Sequence, residues 1–271
     1  MLMSPVKPDS LVVQNDQRGM QSLLRMLVPL PSLRAAQALL AERQRILCCT
    51  GFPVDGHPET DGPAGAVVIA HAMSGLGREV AVVSWADTLD AMGSSLGQLA
   101  CVAIPCGKRP SKLKGAAVTI EVCGRTADGS YLNMRGIDVR NEAPWFEDAV
   151  GTHALVSIGD GGNEYGMGSA PAAWFEGRSV ERPISTCDVL VLGQVSNWGA
   201  LAVVAALSAE TGRDLLPDPE SYERLLHSLV DGGAVDGVAH SPQPTEDGFP
   251  VGSGAAVLRN LRDWVSAAAS P

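Results

Sequence analysis

The sequence has few aromatic residues, no long hydrophobic run and no N-terminal hydrophobic segment. Aromatic side chains make up only 4% of its 271 residues, too few to favour the stacking surfaces of a carbohydrate or peptide groove. The longest apolar run, residues 198–208, is shorter than the roughly 20 residues that a membrane-spanning helix needs. The N-terminus also lacks the pattern of a secretory signal peptide. We therefore expect a soluble, cytoplasmic protein.

Basic residues are also scarce. Acidic residues outnumber them 30 to 20, and the formal net charge is −10. Such a chain repels phosphate backbones unless a local basic patch compensates. The densest basic stretch, residues 108–114, carries four positive side chains and is typical of a surface loop. Nucleic acid and membrane surfaces are therefore not expected partners.

The cysteines form no recognisable metal or redox motif. There is no C-x-x-C pair, and no histidine stands at zinc-finger spacing from a cysteine pair. Each cysteine lies in or beside an apolar run, where a free thiol behaves as a small buried hydrophobe. We expect reduced, buried thiols, with a catalytic or redox thiol as the alternative. The six positions are 48, 49, 101, 106, 123 and 187.

Short apolar runs alternate along the chain with helical patterns. The runs predict strands at 45–50, 79–84, 100–105, 116–123, 152–158 and 188–193. The helical patterns fall at 14–27, 31–44, 65–76, 88–99, 199–208, 218–231 and 254–268. Continuous apolar strands followed by helices indicate an α/β fold, with a mostly parallel sheet and helices on both faces. We expect a Rossmann-like three-layer sandwich.

The domain organisation is simple. Residues 1–30 are interpreted as a lead-in, and residues 31–271 as one α/β domain. The segment 106–150 is more polar and irregular than its surroundings, which favours a small insertion there.

Polar residues follow three of the predicted strands, where an open parallel sheet binds its ligands. Glycines allow a ligand to approach the backbone, and clustered carboxylates can serve as acid and base or hold a divalent cation. The alternative is a set of tight turns with acidic helix caps. The candidates after these strands are Glu59, Thr60, Asp61, Asp160, Gly161, Gly162, Asn163, Glu164 and Asn197.

Other catalytic classes have weaker support. The glycine-rich segment 159–168 has neither P-loop nor dinucleotide-binding spacing, and no G-x-S-x-G elbow occurs. His57, close to Glu59, is the one histidine that we consider a site candidate. Arg135, near Asn133 in a turn-rich segment, could clamp a carboxylate, with a surface ion pair as the alternative.

Several motifs at these loops resemble one known family, the D-glutamate cyclase family. In that family the unit forms the C-terminal domain of a mitochondrial protein and also occurs alone in bacteria. The resemblance covers roughly residues 40–268. Its motifs are GFPV (51–54), ETDGPAG (59–65), GRTADG (124–129), YLNMRG (131–136), IGDGGNEYGMG (158–168), SNWG (196–199), AVDGV (234–238) and TEDGFP (245–250).

The resemblance implies a lyase that converts D-glutamate to 5-oxo-D-proline and water without a redox cofactor. Carboxylates would supply the base and acid, and hydrogen-bond donors would hold the developing oxyanion. We assign Glu59 or Asp61 as the base and Asp160 or Glu164 as the acid or the cation ligand. The remaining candidates bind substrate: Thr60, Asn133, Arg135 (on the α-carboxylate), Gly161, Gly162, Asn163 and Asn197.

Two alternatives stay open: a non-catalytic small-ligand or nucleotide-binding module, and an enzyme of this family that acts on another small amino or dicarboxylic acid. No cofactor is identified, and a divalent cation such as Mg²⁺ is the candidate. The expected partners are a small anionic amino acid and, in a homo-oligomer, further copies of the chain.

Overall fold

A six-stranded parallel sheet forms the centre of the computed structural model, which describes residues 7–14 and 17–268. A separate antiparallel hairpin, β2 and β3, follows the first strand. The strands are β1 (Ile46–Gly51), β2 (Pro53–Val54), β3 (His57–Pro58), β4 (Val80–Ser84), β5 (Ala100–Ala103), β6 (Ala116–Val122), β7 (His153–Gly159) and β8 (Thr186–Leu192).

The order of the strands across the sheet is β5-β4-β1-β6-β7-β8. The chain therefore leaves β1 toward one edge, returns, and continues from β6 toward the other edge. Such a reversal opens a crevice at the carboxyl ends of the two central strands. Both strands are buried along their whole length, as their continuous apolar sequences require. The predicted α/β class and parallel sheet are confirmed.

Helices surround the sheet in a three-layer arrangement. Two of them, α4 and α8, are almost wholly apolar and pack against each other and against the central strands. The helices are α1 (Pro8–Val12), α2 (Met20–Leu24), α3 (Pro31–Ala41), α4 (Pro63–Gly75), α5 (Ala86–Met92), α6 (Phe146–Val150), α7 (Ala172–Phe175), α8 (Ser196–Thr211), α9 (Pro219–Asp231) and α10 (Ser253–Ala268). Within residues 7–14 and 17–268, no helix has both the length and the apolar character to cross a bilayer.

Two predicted helices are wrong in extent. The pattern at 14–27 yields only the five residues of α2, which begins after Gly19 in the left-handed region at φ 80°; residues 15 and 16 lie outside the described residues. The pattern at 88–99 ends as an α-helix at Met92, and a 3₁₀ turn, Gly93–Leu96, follows because Gly93 takes a positive φ of 47°. The other predicted helices differ from the structure only at their ends.

The strand predicted at 100–105 is shorter and more exposed than expected. It ends at Ala103 and forms an edge of the sheet, where β4 is its one neighbour among the described strands. Its cysteine, Cys101, is exposed, and Cys106 is half-buried, so the expectation of six buried thiols is wrong for these two. An edge strand has a neighbouring strand on one side only, so its other side is open to solvent.

The polar segment 106–150 contributes to two regions of the fold. Its strand β6 belongs to the main sheet, whereas the residues after β6 build a small second apolar cluster. That cluster consists of Phe52, Cys123, Tyr131, Val139 and Ala143. It supports the loops that stand beside the crevice.

We predict that Gly65→Ala destabilises the protein, because α4 and α8 meet at this glycine. A Cβ on Gly65 would lie 2.8 Å from the Ala200 Cβ and 3.1 Å from the Ile120 Cγ2. Overpacking of this kind costs about 1–3 kcal/mol. A Cβ on Gly75, in the same helix, would meet no heavy atom within 4 Å beyond its chain neighbours and the helix backbone, so Gly75→Ala should stabilise by up to about 1 kcal/mol. Urea unfolding measures both, and equal effects would contradict this account.

Candidate active site

A cavity of about 230 Å³ lies at the carboxyl ends of β1, β6 and β7. It is closed on one side by the segment 237–247, which leads into α10. Acidic groups dominate its polar lining, and three basic side chains also reach it. The polar lining residues are Arg18, Asp55, Glu59, Glu121, Asn133, Arg135, Asp160, Asn163, Glu164, His240 and Asp247.

A larger cavity, of about 820 Å³, lies between α4 and α9. Its floor includes Val67 and Leu225, and His71 and His227 stand among its polar residues. None of the residues that the sequence predicts for the site lines it. We therefore place the candidate site in the smaller cavity, where those residues converge.

Asp61 lies just behind this cavity and caps α8 from a distant segment. Its Oδ1 accepts hydrogen bonds from the backbone N–H groups of Gly62 at 2.8 Å and Asn197 at 2.7 Å, and its Oδ2 accepts one from Ser196 at 2.8 Å. The N-terminus of a helix favours negative charge. Burial and Asp247 raise the pKa of Asp61, while the hydrogen bonds from Asn197 and Ser196 lower it. Its oxygens hold these segments together, and one of them also lies within 4.8 Å of carboxylate oxygens of Asp160 and Asp247.

Glu164 organises the glycine-rich loop after β7. Its Oε1 accepts hydrogen bonds from the backbone N–H groups of Asp160 at 3.1 Å and Gly161 at 2.5 Å, and its Oε2 accepts one from Gly162 at 2.7 Å. The N–H groups of Gly161 and Gly162, two residues predicted to bind substrate, are thus already bonded to Glu164. Its carboxylate still reaches the cavity wall.

The Asn197 side chain is fully engaged in structure. Its Oδ1 accepts from Gly62 N at 2.9 Å and Gly65 N at 2.7 Å, and its Nδ2 donates to the Thr60 carbonyl at 3.0 Å and to Glu246 Oε1 at 2.9 Å. The Thr60 hydroxyl in turn donates to the backbone carbonyl of Thr245 at 2.8 Å. These two residues therefore join the crossing segments beside the cavity.

Three predicted substrate-binding side chains lie near the cavity mouth. Asn163 reaches the cavity while its Nδ2 donates to the Leu132 carbonyl at 2.9 Å. The Asn133 Oδ1 accepts from Arg135 N and Ile137 N, which forms a turn that presents the exposed Arg135. Arg135 makes no ion pair with any described residue.

Glu59 faces the cavity without a hydrogen-bond partner among the described residues. It is only 7% exposed, and its carboxylate lies against the backbone of Gly237, where any Cβ would collide with Oε1. Burial first, and then the charges of Asp247 and Asp61, raise the pKa of Glu59 well above 4.5. A carboxylate without donors in such surroundings has the properties of a general base.

Asp160 shares a cation with Asp247. The Arg18 Nη1 donates to Asp160 Oδ1 at 2.7 Å and to Asp247 Oδ2 at 2.6 Å. The other oxygen of Asp160, Oδ2, is buried and has no partner among the described residues. Burial raises the pKa of Asp160, and Arg18 opposes that shift.

Glu121 is a buried acid at the end of β6 that the sequence analysis missed. Its backbone has φ 45°, in the left-handed region that non-glycine residues rarely adopt, next to a bulge in the β1–β6 pairing. The Ser196 hydroxyl donates to its Oε2 at 2.6 Å. Burial, and then the charges of Glu164 and Asp61, raise the pKa of Glu121 well above 4.5. Backbone strain of this kind concentrates at functional sites.

Four further polar residues of the cavity lining were not predicted: Arg18, Asp55, His240 and Asp247. The sequence carries a signal for Glu121, which is the single acidic residue in an apolar strand pattern, and for Asp247, which lies in the TEDGFP motif. Arg18 carried no local signal, because it meets Asp160 across 142 residues. His57, by contrast, is exposed and does not line the cavity, whereas His240 lines it and pairs with Asp55 at 2.6 Å.

Among the residues that the structure describes, two groups of carboxylates have the spacing to hold a metal ion. One is Asp61, Asp160 and Asp247, and the other is Glu121, Asp160 and Glu164, each with one oxygen per residue within 4.8 Å of the others. Asp160 belongs to both. Asp160 and Glu164, the two residues predicted as cation ligands, both belong to the second group. Carboxylate oxygens are ligands that Mg²⁺ and Mn²⁺ accept.

The fold and the cavity define an α/β protein with a small, carboxylate-rich site at the switch point of a parallel sheet. The chain belongs to the D-glutamate cyclase-like, C-terminal family, whose model matches residues 9–262. Human mitochondrial D-glutamate cyclase is 28% identical over 217 residues, with 65% of this chain and 34% of the human protein covered. The chain thus spans about one third of that relative. The family predicted from the motifs is confirmed.

A solved structure also aligns with the chain: RecJ from Thermus thermophilus, in complex with Mn²⁺. The alignment covers 98% of this chain and 45% of the RecJ chain, with 12% sequence identity and a TM-score of 0.35. A similarity of this level supports no conclusion about function.

We predict that Glu59→Gln stabilises the protein at neutral pH. The folded state raises the pKa of Glu59, so this carboxyl favours folding below its unfolded pKa, and that contribution is lost as the pH rises through the folded pKa. Glutamine does not ionise, so the variant does not lose this contribution to stability as the pH rises. The melting temperature of Glu59→Gln should therefore exceed that of wild type by an amount that grows between about pH 5 and pH 8. The exposed substitution Glu176→Gln is the control, and a pH-independent difference would count against a buried, ionising Glu59.

We predict the opposite for Asp61→Asn. The side-chain amide of asparagine has one oxygen, so its NH₂ group would face a backbone N–H group that now donates to Asp61. Leaving that buried N–H without an acceptor costs about 1–3 kcal/mol of stability. Asp218 caps α9 at the surface by accepting from Ser221 N at 2.8 Å. At such an exposed cap asparagine is as good as aspartate, so Asp218→Asn is a matched control. Urea unfolding compares the two, and an unchanged stability of Asp61→Asn would refute the capping role.

Proposed function

We propose that this chain cyclises a small amino acid that carries a γ-carboxylate, with D-glutamate as substrate and 5-oxo-D-proline and water as products. The supporting observation is the donor-free Glu59 carboxylate, which faces a cavity of about 230 Å³ in a member of this family. The cavity has the size of a small amino acid rather than of a dinucleotide. The proposed enzyme is a lyase of the D-glutamate cyclase type.

The reaction needs proton transfers that carboxyl groups can carry out. The α-nitrogen attacks the γ-carboxyl carbon, a C–N bond forms, and a C–O bond breaks to release water. The ammonium nitrogen loses two protons and the departing oxygen gains two, so the active site ends unchanged. Glu59 would take a proton from nitrogen. Asp160 would give one to oxygen, because its pKa is raised and Oδ2 is unpartnered. The second proton would pass from nitrogen to Asp160, and Glu59 would give its proton to oxygen, which restores both groups.

The substrate's charges suggest how it is oriented. The ammonium group would face Glu59 and its acidic neighbours, whereas the α-carboxylate would meet Arg135 at the mouth. Asn163 would donate to the developing oxyanion through the N–H that Leu132 leaves free. We assign no oxyanion role to Asn197, since its amide is fully bonded inside the protein.

A divalent cation such as Mg²⁺ is part of the proposal. The group of Glu121, Asp160 and Glu164 would hold it, and all three are buried. Such an ion supplies positive charge for the oxygen that develops negative charge. Asp160 would serve as ligand in that state, and its role as acid applies to the protein without the ion. The cytoplasmic location and the homo-oligomer stay predictions from the sequence.

Proton NMR tests the reaction directly. Purified protein is incubated with D-glutamate, L-glutamate and 5-oxo-D-proline, each with and without MgCl₂. We expect ring signals of 5-oxo-D-proline from D-glutamate alone. Folded protein that changes none of these spectra would refute the cyclase proposal and favour the ligand-binding alternative, whereas turnover of L-glutamate would refute the stereochemistry.

We predict that Glu59→Gln loses about 10²–10⁴-fold in kcat with a normal fold, because general bases contribute that much. The exposed substitution Glu176→Gln should retain full activity in the same NMR assay. If Glu59→Gln keeps more than about one tenth of the wild-type kcat, Glu59 is not the base.

A further inference from the structure

The guanidinium of Arg18 lies where a bound cation would lie. The carboxylate oxygens of Asp61, Asp160 and Asp247 are within 4.8 Å of one another, and Arg18 Nη1 bridges two of the three residues at 2.7 and 2.6 Å. A metal ion in this group would need the same two carboxylates. Arg18 and a metal ion would therefore compete for these two carboxylates.

The backbone around Arg18 is held in place independently of its side chain. Gly19 has φ 80°, and its carbonyl accepts from Trp174 Nε1 at 3.3 Å. Arg178 stacks over the Trp174 ring at 4.1 Å and donates from Nη1 to the Arg18 carbonyl at 3.4 Å. A Cβ on Gly19 would collide with the Arg178 guanidinium. The segment is thus anchored while the Arg18 side chain enters the cavity.

Arg18 alone leaves the group under-compensated. Three backbone N–H groups compensate Asp61, but Asp160 and Asp247 share the single charge of Arg18, and Asp160 Oδ2 is buried with no partner in the described chain. Arg18 Nη1 reaches one oxygen of Asp160 and one of Asp247, whereas a divalent ion coordinates about six oxygens and can also take up the buried oxygen that Arg18 leaves without a partner. The Arg18 side chain is 24% exposed, against 2% for Asp160, so it has a route out of the group.

We infer that Arg18 is an internal cation that occupies the divalent-cation position of the Asp61, Asp160 and Asp247 group, and that Mn²⁺ displaces it there. This inference deepens the proposed function of the same cavity: it adds a cation position beside the Glu121, Asp160 and Glu164 group, with which it shares Asp160. It concerns binding and does not depend on turnover. It also gives residues 17–19 a direct part in the site, through a side chain that exchanges with the ion.

Mn²⁺ binding tests the exchange. Isothermal titration and electron paramagnetic resonance of free Mn²⁺ are compared for wild type, Arg18→Gln and Arg135→Gln. Arg18→Gln should bind Mn²⁺ about tenfold tighter or more, because the ion no longer displaces a guanidinium. Arg135→Gln removes the same charge from the same cavity without freeing a carboxylate and should change affinity less. Equal Mn²⁺ affinity in wild type and Arg18→Gln would overturn the inference.

Thermal unfolding separates exchange from a merely structural ion pair. Arg18→Gln should melt lower than wild type without metal, and Mn²⁺ should restore most of the difference. A loss that Mn²⁺ does not restore would show that Arg18 acts only as a structural pair. Adding Asp247→Asn to Arg18→Gln should abolish the gain in Mn²⁺ affinity, since Asp247 belongs only to this group. A gain that survives Asp247→Asn would place the ion elsewhere and overturn the assignment.

Arg18→Lys covers the case in which Arg18→Gln does not fold. Lysine keeps the charge, but its ammonium is more strongly hydrated than a guanidinium and leaves a buried position for water more readily. Its Mn²⁺ affinity should exceed that of wild type, and an unchanged affinity would refute the inference. Neither result depends on D-glutamate turnover, so failure of the cyclase proposal is recognised separately by NMR.

Discussion

The site depends on one electrostatic constraint: a carboxylate removed from water needs hydrogen-bond donors, a proton or a neighbouring cation. Asp61 and Glu164 meet this need with three backbone N–H groups each, and Glu246 with Tyr222, Trp198 and Asn197. These acids join segments that are distant in sequence. Glu59 and Asp160 are less well supplied, and they face the cavity. The distribution of donors therefore separates the acids that build the site from those free to react.

The sheet topology explains why the acids meet. The reversal between β1 and β6 places the loop after β1 beside the end of β6, and β7 adds the glycine-rich loop. Glu121 enters this space through a strained backbone at a bulge. Strain and buried charge lower the stability of the fold. They persist only where the packing of the surrounding residues holds the strained conformation in place. The apolar contact of α4 with α8 supplies that packing directly behind the site.

The N-terminal segment belongs physically to the same site. Arg18 connects the loops of Asp160 and Asp247, and its backbone is anchored on Trp174 and Arg178. The match to the family also begins before this residue, at position 9. Arg18 therefore lies within the part of the chain that the family shares. The loops after β1 and β7, the segment 237–247 and this N-terminal segment together determine the electrostatics of the cavity. Each carries a charged side chain within hydrogen-bond distance of a charged side chain of another of them.

The sequence by itself determined the α/β class, the central strands and the family, because buried strands and glycine-rich loops leave local patterns. It also located Glu59, Asp61, Asp160 and Glu164 after the correct strands. Only the tertiary structure decided which of these acids receive backbone donors, that β5 is an exposed edge, and that Arg18 and Glu121 enter the site. The reason is physical: burial periodicity is a property of neighbouring residues, whereas charge compensation depends on distances between segments up to 229 residues apart.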